Sequence, residues 1–257
     1  MGALHEGHAS LVTRAAEIAK QRNLTDGCVV SIFVNPTQFN EKADFDRYPR
    51  TVDADLALCE RAGASIVYAP AVGDVYPAGE QLAVPEVPAV ATQPKLEDAH
   101  RPGHFAGVCQ VVKRLFDVVR PQVAVFGEKD WQQLQVIRAM TQQLRYPIEV
   151  VGAATVREKG GLAMSSRNRF LSEEDRNRAM AISEALCETW STATPTEAEA
   201  VMRQILAVHQ IETEYAVVRD AISLVAPGAG PMRALIAARV GSVRLIDNVA
   251  WRPAGTV

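Results

Sequence analysis

Several features that define whole classes of protein are absent from this sequence. No apolar run reaches the roughly 18 residues that a membrane-spanning helix needs, and no charged-then-apolar leader opens the chain. The 27 Lys and Arg residues are outnumbered by 30 Asp and Glu residues, so no broad basic surface is available to neutralise a nucleic-acid backbone. We therefore expect small-molecule partners, neither nucleic acid nor a membrane, and a cytoplasmic location.

Cysteine is also scarce. Cys28, Cys59, Cys109 and Cys187 are widely spaced, with no C-x-x-C pair, which fits neither a zinc site nor a disulfide scaffold. We predict reduced, mostly buried thiols and no protein-bound metal. The sequence also lacks internal repeats and low-complexity segments. What remains is a 257-residue chain, 48% hydrophobic, long enough for one large or two ordinary domains.

The hydrophobic pattern changes about two thirds of the way along the chain. Up to residue 155, helical patterns (9–22, 51–62 and 108–119) alternate with strand-like runs (28–34, 65–70, 123–126 and 148–152). The run CVVSIFV is typical of a strand buried on both faces of a parallel sheet. Two helices (173–190 and 195–209) and then three strands (213–219, 233–239 and 243–246) follow. We predict an α/β domain over 1–155 and a smaller α+β domain over 156–257.

The opening stretch His5-Glu6-Gly7-His8 is the first candidate site. Two imidazoles three positions apart fall on one face of a helix's first turn. Free backbone N–H groups at a helix start, together with the positive end of the helix dipole, favour a phosphate. Exposed polar histidines with no ligand are the alternative interpretation.

Polar residues follow the predicted strands, where open α/β sheets bind ligands. Asn35 and Gln38 come after the first strand, and Lys129 and Gln133 come after the third. At Asn35, the alternative interpretation is a plain Asn-Pro turn. After the third strand, the alternative is a helix cap formed by Asp130 and Gln133. The Pro- and Gly-rich segment 71–105 has the length of a lid or binding loop.

A short polar segment leads out of the fourth strand. Ser165, Ser166 and Arg167 can hold phosphate oxygens by neutral and charge-assisted hydrogen bonds. Gly160 and Gly161 are predicted to let this loop move. A helix-capping loop is an equally good interpretation of the motif taken alone.

Six motifs, in order, carry a resemblance to a known family: MGALHEGH, SIFVNPTQF, YPRT, RPGHFAGV, FGEKDWQQL and GLAMSSRNRFL. The chain resembles the pantothenate synthetases, ATP-dependent pantoate:β-alanine ligases among the HIGH-type nucleotidylyl transferases. The resemblance runs from residue 1 to about 175, and the last third matches more loosely through VRLIDN. It implies a Rossmann-like ATP domain, a smaller C-terminal lid domain and a homodimer.

The resemblance also implies roles for residues that stand in these motifs. Those implied to line the ATP phosphates are Met1, Gly2, Ala3, Leu4, His5, Glu6, Gly7 and His8, with His8 the proton donor. Further residues implied to contact the nucleotide are Gly127, Glu128, Lys129, Asp130 and Val156, with Lys129 on the phosphates. The implied counterpart of the mobile KMSKS loop, which also contacts the nucleotide, is Met164, Ser165, Ser166 and Arg167. Gln38 and Gln133 are implied to hold pantoate, and Gln38 to lie near β-alanine.

Three departures from the family pattern stand out. Thr37 replaces an apolar residue, and Trp131 stands where Tyr or Phe is common. Family members also carry about another strand's worth of sequence before the equivalent of Met1. In a doubly wound fold that strand lies in the middle of the sheet, so we expect this sequence to be an incomplete record of the native protein.

The resemblance predicts a two-step reaction with ATP as substrate and Mg²⁺ as its counter-ion. Pantoate attacks the α-phosphorus of ATP, and β-alanine then displaces AMP from the adenylate. Positioning and charge neutralisation by His5, His8, Lys129, Ser165, Ser166 and Arg167 are expected to supply the catalysis. The rivals are a nucleotidylyl transferase that stops at the adenylate and an inactive fragment. Gln38 and Gln133 favour the ligase.

Overall fold

A computed structural model of the protein describes residues 2–38, 51–79 and 84–255. The chain forms two compact units, which we call the N-terminal and C-terminal units. The N-terminal unit comprises Met1–Glu128 and Gln132–Ala154, and the C-terminal unit comprises Lys129–Trp131 and Thr155–Val257. The three-residue segment Lys129–Trp131 therefore clusters with the C-terminal unit although it lies between stretches of the other.

The N-terminal unit alternates helices with short parallel strands. Its strands are β1 (Val29–Ser31), β2 (Ile66–Tyr68), β3 (Val123–Gly127) and β4 (Glu149–Ala153). Its helices are α1 (Glu6–Gln21), α2 (Val52–Arg61), α3 (Val72–Val75), α4 (Glu97–His100), α5 (His104–Val119) and α6 (Trp131–Gln143). β1 pairs with β2 and β3 with β4, both in parallel, as two separate two-stranded sheets. The predicted α/β class with parallel strands is confirmed.

The strand predicted from CVVSIFV is shorter and less buried than expected. Only Val29–Ser31 pairs with another strand, and Val29 is 36% exposed. Burial on both faces is therefore wrong for the start of this run, although Ile32 and Phe33 beyond it are buried. The physical reason is that, in the described part of the chain, β1 has one strand neighbour rather than two.

The described part of segment 71–105 is packed down and contains α3 and α4. The Gln132 side chain is buried and accepts a hydrogen bond from Glu97 N at 2.9 Å. Its Nε2 donates to the Val90 carbonyl and to Asp98 Oδ1, both at 3.0 Å. These bonds tie Val90, Glu97 and Asp98 of the segment to α6.

The C-terminal unit is the predicted α+β arrangement. Strands β5 (Glu212–Asp220), β6 (Met232–Val240) and β7 (Val243–Trp251) form an antiparallel sheet in that order. Helices α7 (Glu173–Glu188) and α8 (Pro195–Val208) pack against it around a core that includes Ile182, Leu186, Met202, Leu206 and Ile236. β7 runs five residues past its predicted end, and its last residue, Trp251, donates from its indole to the Thr189 carbonyl at 3.0 Å.

Three of the four cysteines are buried, as predicted, and Cys187 is exposed. Burial raises the pKa of Cys28 and Cys59, and that of Cys109 to about 11, so these thiols stay protonated at neutral pH. None of them is a nucleophile candidate. Among the residues described, no helix is long and apolar enough to cross a membrane.

Candidate active site

The two histidines of the opening motif cap the helix that they begin. His5 is the N-cap of α1, and its Nδ1 accepts from Gly7 N at 3.1 Å. In return, His8 Nδ1 accepts from His5 N at 3.2 Å. The ring centroids lie 4.0 Å apart. Because each Nδ1 accepts a backbone N–H, the proton of each neutral imidazole sits on Nε2, which becomes its donor atom.

This capping changes the physical basis of the predicted anion site. Gly7 N donates to His5, and His8 N and Ala9 N donate to the His5 carbonyl at 2.7 and 3.0 Å. The expectation of several free backbone N–H groups is therefore wrong, because the first turn satisfies most of its own donors. The Nε2–H groups of His5 and His8 are the side-chain donors of this turn, with the helix dipole behind them.

Asp55 on α2 holds the loop before α1. Its carboxylate is 2% exposed and accepts from Ala3 N at 2.9 Å and Leu4 N at 2.8 Å. Thr51 Oγ1 also donates to it, at 3.0 Å. The sequence alone assigns this residue no role. A buried carboxylate 51 and 52 positions from the N–H groups that it binds leaves no local sequence signal.

The end of β3 reaches the same helix. A β-carbon added at Gly127 would lie 3.8 Å from a methyl carbon of Leu11 on α1. Glu128 follows, and its carboxylate oxygen would be 3.0 Å from a β-carbon added at Gly152 on β4. Within the N-terminal unit the structure thus brings Gly127 and Glu128 close to the helix that carries His5 and His8.

The structure describes only some of the candidate residues that open the chain or follow β1. Met1 and the side chain of Gln38 lie outside the described residues. Asn35 is buried, and its Oδ1 accepts from the Tyr76 hydroxyl at 2.8 Å and from Thr37 Oγ1 at 3.0 Å. The structural interpretation of Asn35 is therefore supported. Thr37 contributes to this turn rather than disturbing it.

Gln133 does not form the helix cap proposed as its alternative role. It lies in the first turn of α6, partly exposed, and its side chain has no hydrogen-bond partner among the described residues. The polar group is therefore available for a ligand. Its neighbour Gln132, by contrast, uses both ends of its amide to anchor segment 71–105.

Lys129 belongs to the C-terminal unit, as do Asp130 and Trp131. Trp131 donates from its indole nitrogen to the Ala221 carbonyl at 2.7 Å. The guanidinium carbon of Arg233 lies 3.4 Å from the centroid of the indole ring. This indole is thus held by the turn after β5 and by β6.

The candidate serine loop is a tight hairpin rather than a loose segment. Arg157 and Ala163 form an antiparallel bridge, and Met164 N donates to the Val156 carbonyl at 2.9 Å. This brings Val156 next to Met164, as expected for two residues that would share a ligand. Ser165 then caps the 3₁₀ helix Ser166–Phe170 by accepting from Arg167 N at 3.2 Å. The helix-capping interpretation is therefore confirmed for Ser165.

The backbone conformation and close packing of this hairpin require its two glycines. Gly160 and Gly161 both have φ of +93°. A β-carbon on Gly160 would lie 2.2 Å from Met180 Sδ, and one on Gly161 would lie 2.8 Å from Ser183 Oγ. Both glycines therefore allow the hairpin to pack closely against α7 in a backbone conformation that other residues avoid.

No group of three or more His, Cys, Asp or Glu side chains with metal-binding geometry occurs in the described part of the chain. Asp55, the buried carboxylate beside the histidine turn, already accepts three hydrogen bonds. The candidate residues of the N-terminal unit offer imidazole donors, and those of the C-terminal unit offer an ammonium, hydroxyls and a guanidinium. Such a set suits the binding of a polyanion.

Comparison with known proteins gives a consistent result. The family model for pantoate-beta-alanine ligase matches residues 1–250. A pantothenate synthetase from a Nocardioides species is 47% identical, with 97% of this chain and 76% of that protein covered. One from Xanthomonas euvesicatoria is 48% identical, with 98% of this chain and 89% of that protein covered.

Solved structures agree with this match. Pantothenate synthetase from Thermus thermophilus is 41% identical with a TM-score of 0.88, with 97% of this chain and 90% of that chain covered. A pantoate-beta-alanine ligase from Francisella tularensis, solved with β,γ-ATP and β-alanine, is 31% identical with a TM-score of 0.75, with 97% of this chain and 87% of that chain covered. By sequence and by fold, this chain belongs to the pantoate-beta-alanine ligase family.

Proposed function

We propose that this chain joins pantoate to β-alanine at the expense of ATP, giving pantothenate, AMP and pyrophosphate. The observation that carries most of the proposal is the imidazole pair at the start of α1, with centroids 4.0 Å apart and both Nδ1 atoms bound to backbone. That pattern places the proton of each neutral ring on Nε2, beside the positive end of a 16-residue helix. Donors of this kind support a phosphate-binding role for the turn.

In the first step, a pantoate carboxylate oxygen bonds to the α-phosphorus, and the bond from that phosphorus to the oxygen bridging the α- and β-phosphates breaks. No base is required, because a carboxylic acid with a pKa near ~4 is already ionised at neutral pH. Pyrophosphate leaves with the electron pair. We assign its stabilisation to the Nε2–H groups of His5 and His8, with His8 the proton donor, and to the cations of Lys129 and Arg167.

In the second step, the β-alanine nitrogen bonds to the acyl carbon, and the bond from that carbon to the AMP oxygen breaks. The amine must first lose a proton, because an alkylammonium with a pKa near ~10 is not nucleophilic. We assign no protein base to that proton. Ser165 and Ser166 are assigned to the phosphate oxygens, while Gly2, Ala3, Leu4, Glu6, Gly7, Gly127, Glu128, Asp130, Val156 and Met164 are assigned to the nucleotide.

The assignments of Gln38 and Gln133 concern pantoate, with Gln38 also near β-alanine. A carboxamide can both donate to and accept from pantoate's hydroxyl and carboxylate oxygens. Gln133 supports this role because its amide is not used by the described residues. An enzyme that stops at an adenylate has no need to bind an amine. Family membership therefore favours the ligase over a nucleotidylyl transferase of that kind.

We expect Mg²⁺ to arrive with ATP. A magnesium ion on a nucleotide takes many of its ligands from phosphates and water, with only one or two carboxylates from protein. Since the described residues contain no metal-binding cluster, we assign no protein ligand, and no step above depends on one. We further propose that the enzyme is a homodimer and that it works in the cytoplasm, where its small-molecule substrates are made.

The test is pyrophosphate exchange followed by product analysis. Labelled pyrophosphate should enter ATP only when pantoate is present, and adding β-alanine should give pantothenate and AMP in equal amounts. Exchange without amide formation would identify the rival transferase. Absence of both activities from a cooperatively folded chain would rule out the proposed function for this sequence.

A further inference from the structure

The element VRLIDN lies on β7, far along the chain from every residue assigned above, and the proposed reaction gives it no role. Its last two residues, Asp247 and Asn248, are polar and each 3% exposed. Burying two adjacent polar side chains is costly unless every polar atom is used. Their partners show what they do.

Asn248 binds the main chain of Lys129. Its Nδ2 donates to the Lys129 carbonyl at 2.9 Å, and its Oδ1 accepts from Arg233 Nε at 2.5 Å. Because a guanidinium only donates, the amide oxygen must face Arg233 and the NH₂ group must face Lys129. The orientation of this amide is therefore fixed.

Arg233, which donates to Asn248, also contacts Trp131. Its guanidinium lies over the Trp131 ring, whose indole nitrogen is bound to the Ala221 carbonyl. Asn248 and Arg233 thus hold Lys129–Trp131 at both ends within the C-terminal unit. The lysine side chain is a flexible ammonium on a four-carbon stem, so its reach depends on where its backbone is held.

Asp247 binds the other candidate phosphate segment. It forms a two-pronged ion pair with Arg157, with N–O distances of 2.6 and 3.1 Å. The same Arg157 Nη1 donates to the Gly161 carbonyl at 2.9 Å, across the hairpin that ends in Met164. Ser165 and Arg167 follow directly. Asp247 Oδ1 also accepts from Asn248 N at 2.8 Å, which joins the two systems.

From this geometry we propose that Asp247 and Asn248 are positioning residues for adenylate formation. Asn248 fixes the backbone of Lys129, and Asp247, through Arg157, fixes the hairpin that presents Ser165, Ser166 and Arg167. One buried residue pair on β7 thereby sets two phosphate-binding segments that are separated by 36 residues of sequence. The inference rests on the proposed function, since it assumes that Lys129 and Arg167 contact phosphate.

The first test is a double-mutant cycle on Asn248 and Lys129. Asn248→Asp keeps the side-chain shape and the bond from Arg233, but it replaces the donor to Lys129 with a repelling oxygen. We expect pantoate-dependent pyrophosphate exchange to fall about 10- to 100-fold, the size of loss that a small misplacement causes. In a Lys129→Ala background the same change should cost less than about 2-fold, because the carbonyl bond then has no ammonium to position.

The second test repeats the cycle for the other segment. Arg157→Lys keeps a cation near Asp247 but loses the planar fork that binds Asp247 and Gly161 together. Its effect should shrink in an Arg167→Ala background and persist in a Lys129→Ala background. Glu214→Gln is the matched control, because it weakens the ion pairs of Glu214 with Arg239 and Arg244 in the same sheet. We expect it to lower stability and leave exchange near the wild-type rate.

The outcomes separate the inference from the function on which it rests. If Asn248→Asp costs the same factor with and without Lys129, its role is structural and the inference is wrong. If Lys129→Ala alone keeps full exchange, the phosphate assignment of Lys129 is wrong and the inference falls with it. A Glu214→Gln variant as impaired as Asn248→Asp would also overturn the inference, since any weakening of the sheet would then have the same effect.

Discussion

His5 and His8 cap helix α1, a structural role that the sequence motif alone did not indicate. Their Nδ1 atoms close the first turn of α1, and this leaves the proton of each neutral ring on Nε2. A helix is usually capped by a small polar side chain at this position. Using two imidazoles instead orients both rings, so the same bonds that begin the helix also set the direction of the donors that we propose bind phosphate.

Removing a donor from this site should slow adenylate formation while leaving the fold in place. We expect His8→Ala and Lys129→Ala each to lower pantoate-dependent pyrophosphate exchange by about 100-fold or more, because each removes a group aimed at developing phosphate charge. Thermal melts supply the control for folding. If either variant exchanged pyrophosphate at the wild-type rate, that residue would have no place in the phosphate site.

Asp55 should act on the same site without touching a substrate. Asp55→Asn replaces one of the two oxygens that receive Ala3 N and Leu4 N with a donor, so we expect faster hydrogen exchange at those amides and a lower rate of pyrophosphate exchange. The stability cost should be about 1–3 kcal/mol. Asp53→Asn, an exposed carboxylate on the same helix turn, is the control and should change neither. Equal effects from both variants would show that only the charge near α2 matters.

The elements differ in how far the sequence predicts them. Helices α1, α7 and α8 follow from apolar spacing and from caps such as Ser172 and Thr194, which bond to the third residue beyond them. The sequence predicts a loop at 71–105, because the hydrogen bonds that shape this segment come from Gln132, which lies 34 and 35 residues beyond its partners Asp98 and Glu97. Pairing between distant side chains and backbone leaves no periodic signal.

The candidate site divides in the same way. Motif residues such as Lys129 and Ser165 could be named from the sequence by resemblance. Asp55, Asp247 and Asn248 could not be given roles, since the partners that define those roles lie 51, 90 and 119 positions away, at Leu4, Arg157 and Lys129 respectively. The two hairpin glycines were recognised, but their φ of +93° and their close approach to α7 are properties of the packed structure.

The hairpin before Ser165 should tolerate no side chain at its glycines. Gly161→Ala forces a β-carbon to within 2.8 Å of Ser183 Oγ at a φ of +93°, so we expect a loss of about 1–3 kcal/mol of unfolding free energy. Pyrophosphate exchange should fall as well, because the hairpin leads into Ser165 and Arg167. Gly228→Ala, where an added β-carbon meets nothing within 4 Å, is the control. A Gly161→Ala variant as stable as that control would contradict the packing argument.

The whole chain combines a parallel α/β unit with an antiparallel α+β unit, and the assigned phosphate-binding residues are drawn from both. His5 and His8 belong to the N-terminal unit, whereas Lys129 and Ser165 belong to the C-terminal unit. Variants in either unit should lose the first step, as the predictions for His8 and Gly161 require.

The assembly state is open to a direct measurement. We expect a homodimer, because the family resemblance implies one and because a two-fold pair is the commonest assembly of soluble enzymes. Light scattering coupled to gel filtration should give about twice the 27.9 kDa chain mass at micromolar concentration. A single-chain mass under those conditions would contradict this expectation.

The central claim is that pantoate is activated at the α-phosphorus of ATP, and an oxygen label tests it most directly. Pantoate carrying ¹⁸O in its carboxylate is incubated with the enzyme, ATP and β-alanine, and the products are analysed by mass spectrometry. The account predicts one labelled oxygen in the phosphate of AMP, because the attacking oxygen stays on phosphorus when the amine displaces it from carbon. Unlabelled AMP, or label in inorganic phosphate alongside ADP, would contradict it.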